Sequence, residues 1–325
     1  MKRSPEHRRP AYRLLPAALW AAAALWAAGL LPASAQAGSS GMSASPVPAA
    51  PGPAATAAAG SALPATSYST SALLRWDTMT LAARVSLDLR AAGIRLPAGR
   101  SEAENMIERD LPGLLQETVF RIPVDSYRTV GDTLADGTLS INDLLNLIRS
   151  LSRRESSFSP DFRTFSALYE LPLTDIASLY VRHSRPYELA APLDYTPSRP
   201  YSGIVIYAKG ELPVHGEHVR ARAVPCLFPR IFDERMNTIL ERNLVSPEAI
   251  RRWGLVGYTE DLAAAALEER TGDNPLRIAA SAVFGTSRTD LVISREEALR
   301  ILTLPENRAL LREGRVVVVI DKSLP

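Results

Sequence analysis

The chain has 325 residues and a mass of 35.3 kDa, with 46% hydrophobic and 22% charged residues, a balance that excludes a wholly disordered polymer and leaves room for two domains. Its formal net charge of +2 hides a split: Lys2, Arg3, Arg8, Arg9 and Arg13 face only Glu6 in the first 13 residues, so the remainder is net acidic and lacks the basic surplus that a nucleic-acid partner requires. One cysteine, Cys226, excludes an intramolecular disulfide and a Cys-rich metal cluster, and four histidines leave few ligands for metal chemistry.

The basic start is followed by the apolar run Leu14 to Leu31 and by Pro32-Ala33-Ser34-Ala35, the order of a secretory signal peptide. Small residues at Ala33 and Ala35 place cleavage before Gln36, which predicts a periplasmic or outer-membrane-associated product. An uncleaved anchor is the alternative, because the apolar run approaches the roughly 20 residues of a membrane span; Pro16, Gly29 and the many alanines weigh against it. No later apolar run is long enough to span, so no stable membrane span is expected once the signal is removed. From Gln36 to Ser71, 31 of 36 residues are Ala, Ser, Pro, Gly or Thr and none is charged, which predicts a disordered linker over 36–71.

The expected fold is α+β, with two small mixed α/β domains at 72–182 and 201–325. In the first, Leu73, Leu74, Trp76, Leu81, Val85, Leu87 and Leu89 have helical spacing, with Gly93 as a stop. Ser101 and Glu104 form a capping box for a second helix that Pro112 breaks or restarts. Phe120, Ile122 and Val124 alternate as an edge strand. Asp136-Gly137 is a turn, Ser140 caps a helix through Leu151, Phe162 to Leu171 is a strand, and Pro172 opens a last helix.

The segment 183–200 carries Pro186, Pro192, Pro197 and Pro200 and marks a Pro-rich connector. Beyond it, Ile204 to Ala208 and Val219 to Val224 read as strands, and Ile231 to Leu240 as a hairpin bent around Glu234 to Asn237. Ser246-Pro247 opens a helix that Gly254 closes, and Leu262 to Leu267 is a short helix. Leu276 to Phe284 and Leu291 to Ile293 are strands, and Ser294 with Glu297 is a second capping box. Val316 to Ile320 is a continuous apolar run of the kind a central strand requires.

For chemistry, the one metal-like grouping is His215, Glu217 and His218, in a loop where Gly216 and Pro213 oppose the helix that would align the two imidazoles. A solvated polar loop is the expected reading, with a metal-dependent enzyme as an alternative. Cys226 lies among Pro225, Leu227 and Phe228, where a thiol is packed rather than reactive. There is no G-x-S-x-G, Walker A or G-x-G-x-x-G sequence, and Asp161, Asp175, Asp194 and Asp290 are scattered. No catalytic residue and no cofactor is assigned. The segments Lys209 to Val224 and Pro225 to Asp233 are the expected places for contacts.

Tyr201 to Gly210, followed by Pro225 to Glu234, resembles Gram-negative envelope proteins related to the flagellar basal-disk protein FlgP and its lipoprotein relatives. Gly272 to Leu276, Thr289 to Ser294 and Arg312 to Asp321 extend the resemblance over 201–325. It departs at Tyr207, where aspartate is usual, at Cys226, where alanine is usual, and in lacking a lipid-bearing cysteine. The resemblance implies an exported, non-catalytic envelope protein that assembles with itself or with an envelope machine, with a flagellar association among the possibilities. A different reading is an envelope glycan-binding module using Tyr187, Tyr195 and Tyr201.

Overall fold

The computed structural model describes residues 67–95, 99–263 and 265–322. The signal peptide and residues 36–66 of the expected linker lie outside the described residues. The fold is α+β, in two domains.

In the first domain β1 (Tyr68–Arg75) and β2 (Thr80–Asp88) precede three helices, α1 (Arg100–Phe120), α2 (Val130–Ala135) and α3 (Ile141–Arg149). β3 (Arg153–Phe158), β4 (Thr164–Pro172) and α4 (Leu173–Ser178) follow, and the antiparallel sheet runs β1-β2-β4-β3. Register brings Leu81, Ala83, Val85 and Leu87 of β2 opposite Leu171, Tyr169, Ala167 and Phe165 of β4, all buried on one face. α1 covers that face with Ala103, Ile107, Leu111, Leu115 and Val119, one residue per turn.

Three expectations are corrected here. Residues 68–88 form a hairpin and not a helix, and strand β1 takes up the last residues of the predicted linker. The alternation that decides it runs through Ala83 as a core residue between Leu81 and Val85, with Arg84 and Asp88 outside. α1 continues through Pro112, which removes one backbone donor while the buried side chains above and below hold the helix to the sheet. Phe120 ends α1 rather than starting a strand, and Ile122 and Val124 bury themselves in the loop that follows.

The second domain begins with β5 (Ile204–Tyr207), the short hairpin β6 (Leu212–Pro213) and β7 (Arg220–Ala221), and then β8 (Ile231–Asp233) and β9 (Thr238–Leu240). α5 (Pro247–Trp253), β10 (Gly257–Thr259), α6 (Ala265–Thr271), β11 (Leu276–Ala279), β12 (Ala282–Phe284) and β13 (Asp290–Ile293) lead to α7 (Arg295–Thr303), α8 (Pro305–Arg312) and β14 (Val316–Val319). One sheet is parallel, ordered β10-β14-β5-β11; a second is mixed, ordered β12-β13-β8-β9. β14 is central and wholly buried, as its apolar run requires. Ser246 and Ser294 cap α5 and α7 through their hydroxyls. The single strand expected over 276–284 is two: Ala280 N donates to Tyr207 O of one sheet and Ser281 N to Val292 O of the other, so the chain changes sheets between them.

The domains share one apolar core. Leu227 N and Phe228 N donate to Pro123 O and Val124 O at 3.0 and 2.8 Å, Ser287 N donates to Ser126 O at 3.0 Å, and Tyr180 meets Phe228 edge to face. The connector has no regular structure but is tied down: His183 Nε2 donates to Val245 O at 2.8 Å, Tyr187 N to Asn243 O at 2.7 Å, and Asn307 Nδ2 to Arg199 O at 3.0 Å. It is a strap across the second domain.

Candidate functional site

Two edge strands, β1 of the first sheet and β10 of the parallel sheet, border one groove between the domains. Its wide part has a volume of about 620 Å³, and a narrower extension of about 300 Å³ shares Asp77, Tyr258, Thr259 and Glu260 with it. The wall from the first domain is the β1–β2 turn. Met79 adopts φ +50° there, its carbonyl accepts from Leu173 N at 2.8 Å, and its methyl group lies where a side chain on Gly254 would stand. Trp76 crosses to Tyr258 edge to face at 5.6 Å.

The floor is organised by Arg270, 5% exposed. Its Nε donates to Gly314 O at 2.7 Å, Nη1 to Trp253 O at 2.6 Å and Nη2 to Gly254 O at 3.0 Å. Trp253 is the last residue of α5, Gly254 its C-cap and Gly314 the second residue past α8, so one guanidinium ties the end of α5 to the turn after α8. Burial pushes its pKa down to about 9, which leaves it charged at neutral pH. Gly257 makes this possible, since a Cβ there would come within 3.1 Å of Nη1. The Trp253 ring lies between Arg252 at 4.4 Å and Arg270 at 5.3 Å. Asp77, Glu260, Asp261 and Glu269 are exposed around the rim, without an ion pair among the described residues.

The segments singled out from sequence lie elsewhere. His215, Glu217 and His218 form the tip of the β6–β7 hairpin: His215 packs edge to face on Phe284, Glu217 takes a bidentate pair with Arg288 at 2.8 and 2.9 Å, and His218 is exposed. No group of three metal-ligating side chains occurs among the described residues. Pro225 to Asp233 is not a free contact loop, because all but half-buried Arg230 is buried, much of it in the domain junction. Cys226 is enclosed, and burial pushes its thiol up to about 12. Tyr258 Oη bridges its backbone, accepting from Cys226 N at 3.1 Å and donating to Cys226 O at 3.0 Å. Asp290 is buried against Arg230, Asp194 pairs with Arg295, and Asp161 accepts from Ser159 Oγ, so these carboxylates stay apart. Tyr187 and Tyr195 are exposed, whereas Tyr201 is half-buried under Arg199.

Sequence reasoning missed Trp76, Trp253 and Arg270. Their relation depends on backbone carbonyls and on segments far apart in the chain, and no local motif marks it.

No curated protein matches the chain. Residues 67–179 match the family model of the N-terminal domain of Treponema pallidum Tp0624, and residues 203–322 match the model of its second domain. The unmatched interval between them, 180–202, contains the Pro-rich connector. In both described domains, and in the same order, the chain is therefore similar to the N-terminal and second domains of Treponema pallidum Tp0624.

Proposed function

We propose that the protein is an exported, non-catalytic interaction protein of the bacterial cell envelope that offers the groove between its domains to a partner. The fused junction carries this reading: backbone hydrogen bonds from Leu227 and Phe228 to Pro123 and Val124 hold the groove walls together before any partner arrives. Preformed walls reduce the ordering cost of association. The signal-like leader and the resemblance over 201–325 support the envelope, and no helix among the described residues is long and apolar enough to cross a membrane. The test is fractionation of the native cells with N-terminal sequencing, joined to photo-cross-linking from position 260. A start at Gln36 in the periplasmic or outer-membrane fraction with a discrete cross-linked partner is expected. An intact start in the cytoplasm with no cross-linked species overturns the reading, and flagellar components among the products would add the flagellar association.

A second reading, an envelope glycan module, is favoured by the exposure of Tyr187 (65%) and Tyr195 (76%). Tyr187 borders a 250 Å³ pocket with Arg308 and Arg312, an aromatic face beside hydrogen-bond donors. Co-sedimentation with peptidoglycan that Tyr187→Ala weakens is expected on this reading; equal sedimentation of both forms, or none, removes it.

A further inference from the structure

We infer that the groove takes an extended peptide segment carrying lysine or arginine side chains, added as a strand along the free edge of β10. The inference rests on the groove being the binding surface and names the class of its occupant.

In a parallel ladder, alternate residues turn their backbone groups toward each neighbour. Ile320 N donates to Thr259 O at 3.0 Å, which turns Thr259 toward β14. Tyr258 therefore turns its N–H and C=O to the opposite side, where no strand among the described residues pairs with β10. That edge lies in the groove, where Tyr258 and Thr259 border both the wide part and its extension. A strand advances about 3.3 Å per residue, so two hollows that adjoin along one strand edge suit an extended chain better than a compact solute. Main-chain bonds to an edge supply affinity in this mode, and side-chain surroundings supply selectivity.

Charge selects the side chains. Asp77, Glu260, Asp261 and Glu269 line the wide part without an ion pair among the described residues. Against these four carboxylates stand three cations: Arg252 at the rim, Arg270 enclosed by three backbone carbonyls, and Lys209, whose Nζ donates to Glu260 O. Arg75 and Lys322 stand at the other end, in the narrow extension. A cationic side chain entering the wide part meets an excess of carboxylates.

Trp76 and Trp253 are the tryptophans of the described residues, and both line the groove, so intrinsic fluorescence of the exported protein reports its occupancy. The probes are an alternating Lys–Val octapeptide, a Glu–Val octapeptide, and the Lys–Val peptide N-methylated along one edge. Saturable change is expected with the Lys–Val peptide, with binding about tenfold or more weaker for the other two. A Glu260→Lys, Glu269→Lys double variant, altered only at exposed positions, should keep its Tm and lose the preference for the cationic peptide. No saturable change with the Lys–Val peptide, equal binding of the Glu–Val peptide, or equal binding of the N-methylated peptide each overturns the inference. A partner cross-linked from position 260 that the Lys–Val peptide does not displace would sink this inference alone, whereas retention in the cytoplasm without any partner would sink the envelope reading.

Discussion

The hydroxyl of Ser126 fills the space that Gly285 leaves by having no side chain. A Cβ at 285 would come within 1.8 Å of Ser126 Oγ, and Gly285 holds φ +87°. Ser126 Oγ also donates to Phe284 O at 3.3 Å, so this is a point where the two domains touch at backbone distance. Gly285→Ala combines a left-handed backbone penalty of about 1 kcal/mol with overpacking of about 1–3 kcal/mol. The expected result is a loss of about 2–4 kcal/mol in urea unfolding, with part of it recovered when Ser126→Gly is added. An unchanged midpoint would mean that the domains can separate here without cost.

Arg270 joins α5, the turn after α8 and the Trp253 ring, and no other side chain among the described residues donates to its three carbonyl partners. Arg270→Met leaves three acceptors facing an apolar chain, each unmade bond worth about 1 kcal/mol or more, so a loss of about 3 kcal/mol is expected. Arg270→Lys keeps the charge but not the fork and should recover less than half. Denaturant titrations of the three proteins check this; a lysine form as stable as the parent would show that charge alone suffices.

How far the sequence speaks depends on how local each signal is. Ser246-Pro247 and Ser294 mark their helices because a cap is read within four residues, and Val316 to Ile320 announces a central strand by composition alone. The β1–β2 hairpin was hidden because alanine at 82 and 83 masks the alternation of Leu81, Val85 and Leu87. β3 escapes because Arg153, Arg154, Glu155 and two serines have little strand character, and pairing with β4 decides their conformation. The groove could not be read at all. Asp77, Trp253, Glu260 and Arg270 come from separate segments, and what holds Arg270 is carbonyl oxygen, which every residue possesses.

Arg230 shields the buried carboxylate of Asp290, donating Nε and Nη2 to Oδ2 at 3.1 and 2.8 Å while its backbone N–H meets Oδ1 at 2.9 Å. Asp290 has no solvent exposure. Arg230→Met strands a buried negative charge and is expected to cost about 3–5 kcal/mol. Adding Asp290→Asn should restore much of that loss, because an amide needs no counter-charge. A double-mutant cycle measures the coupling. Simple addition of the two single losses would show that the pair does not act as one unit.

Asp233 closes β8 with both oxygens occupied: Oδ1 accepts from Arg235 N at 2.9 Å and Asn237 N at 2.8 Å, and Oδ2 from Asn237 Nδ2 at 2.9 Å and Arg295 Nη1 at 2.7 Å. Burial works to raise its pKa, but the bonds from Asn237, Arg295 and Arg235 outweigh that and hold the carboxyl below its usual range. A carboxylate depressed in this way stabilises the fold fully above its unfolded pKa of about 3.9, and the contribution disappears as pH falls through the lower folded value. Asp233→Asn should therefore lower Tm at pH 7, by the equivalent of about 2 kcal/mol. The gap to the parent protein should close as pH falls below about 4. Thermal unfolding of both proteins from pH 7 to pH 2 tests the sign: a gap that stays constant to pH 2 would show that ionisation of Asp233 does not hold the β8–β9 turn.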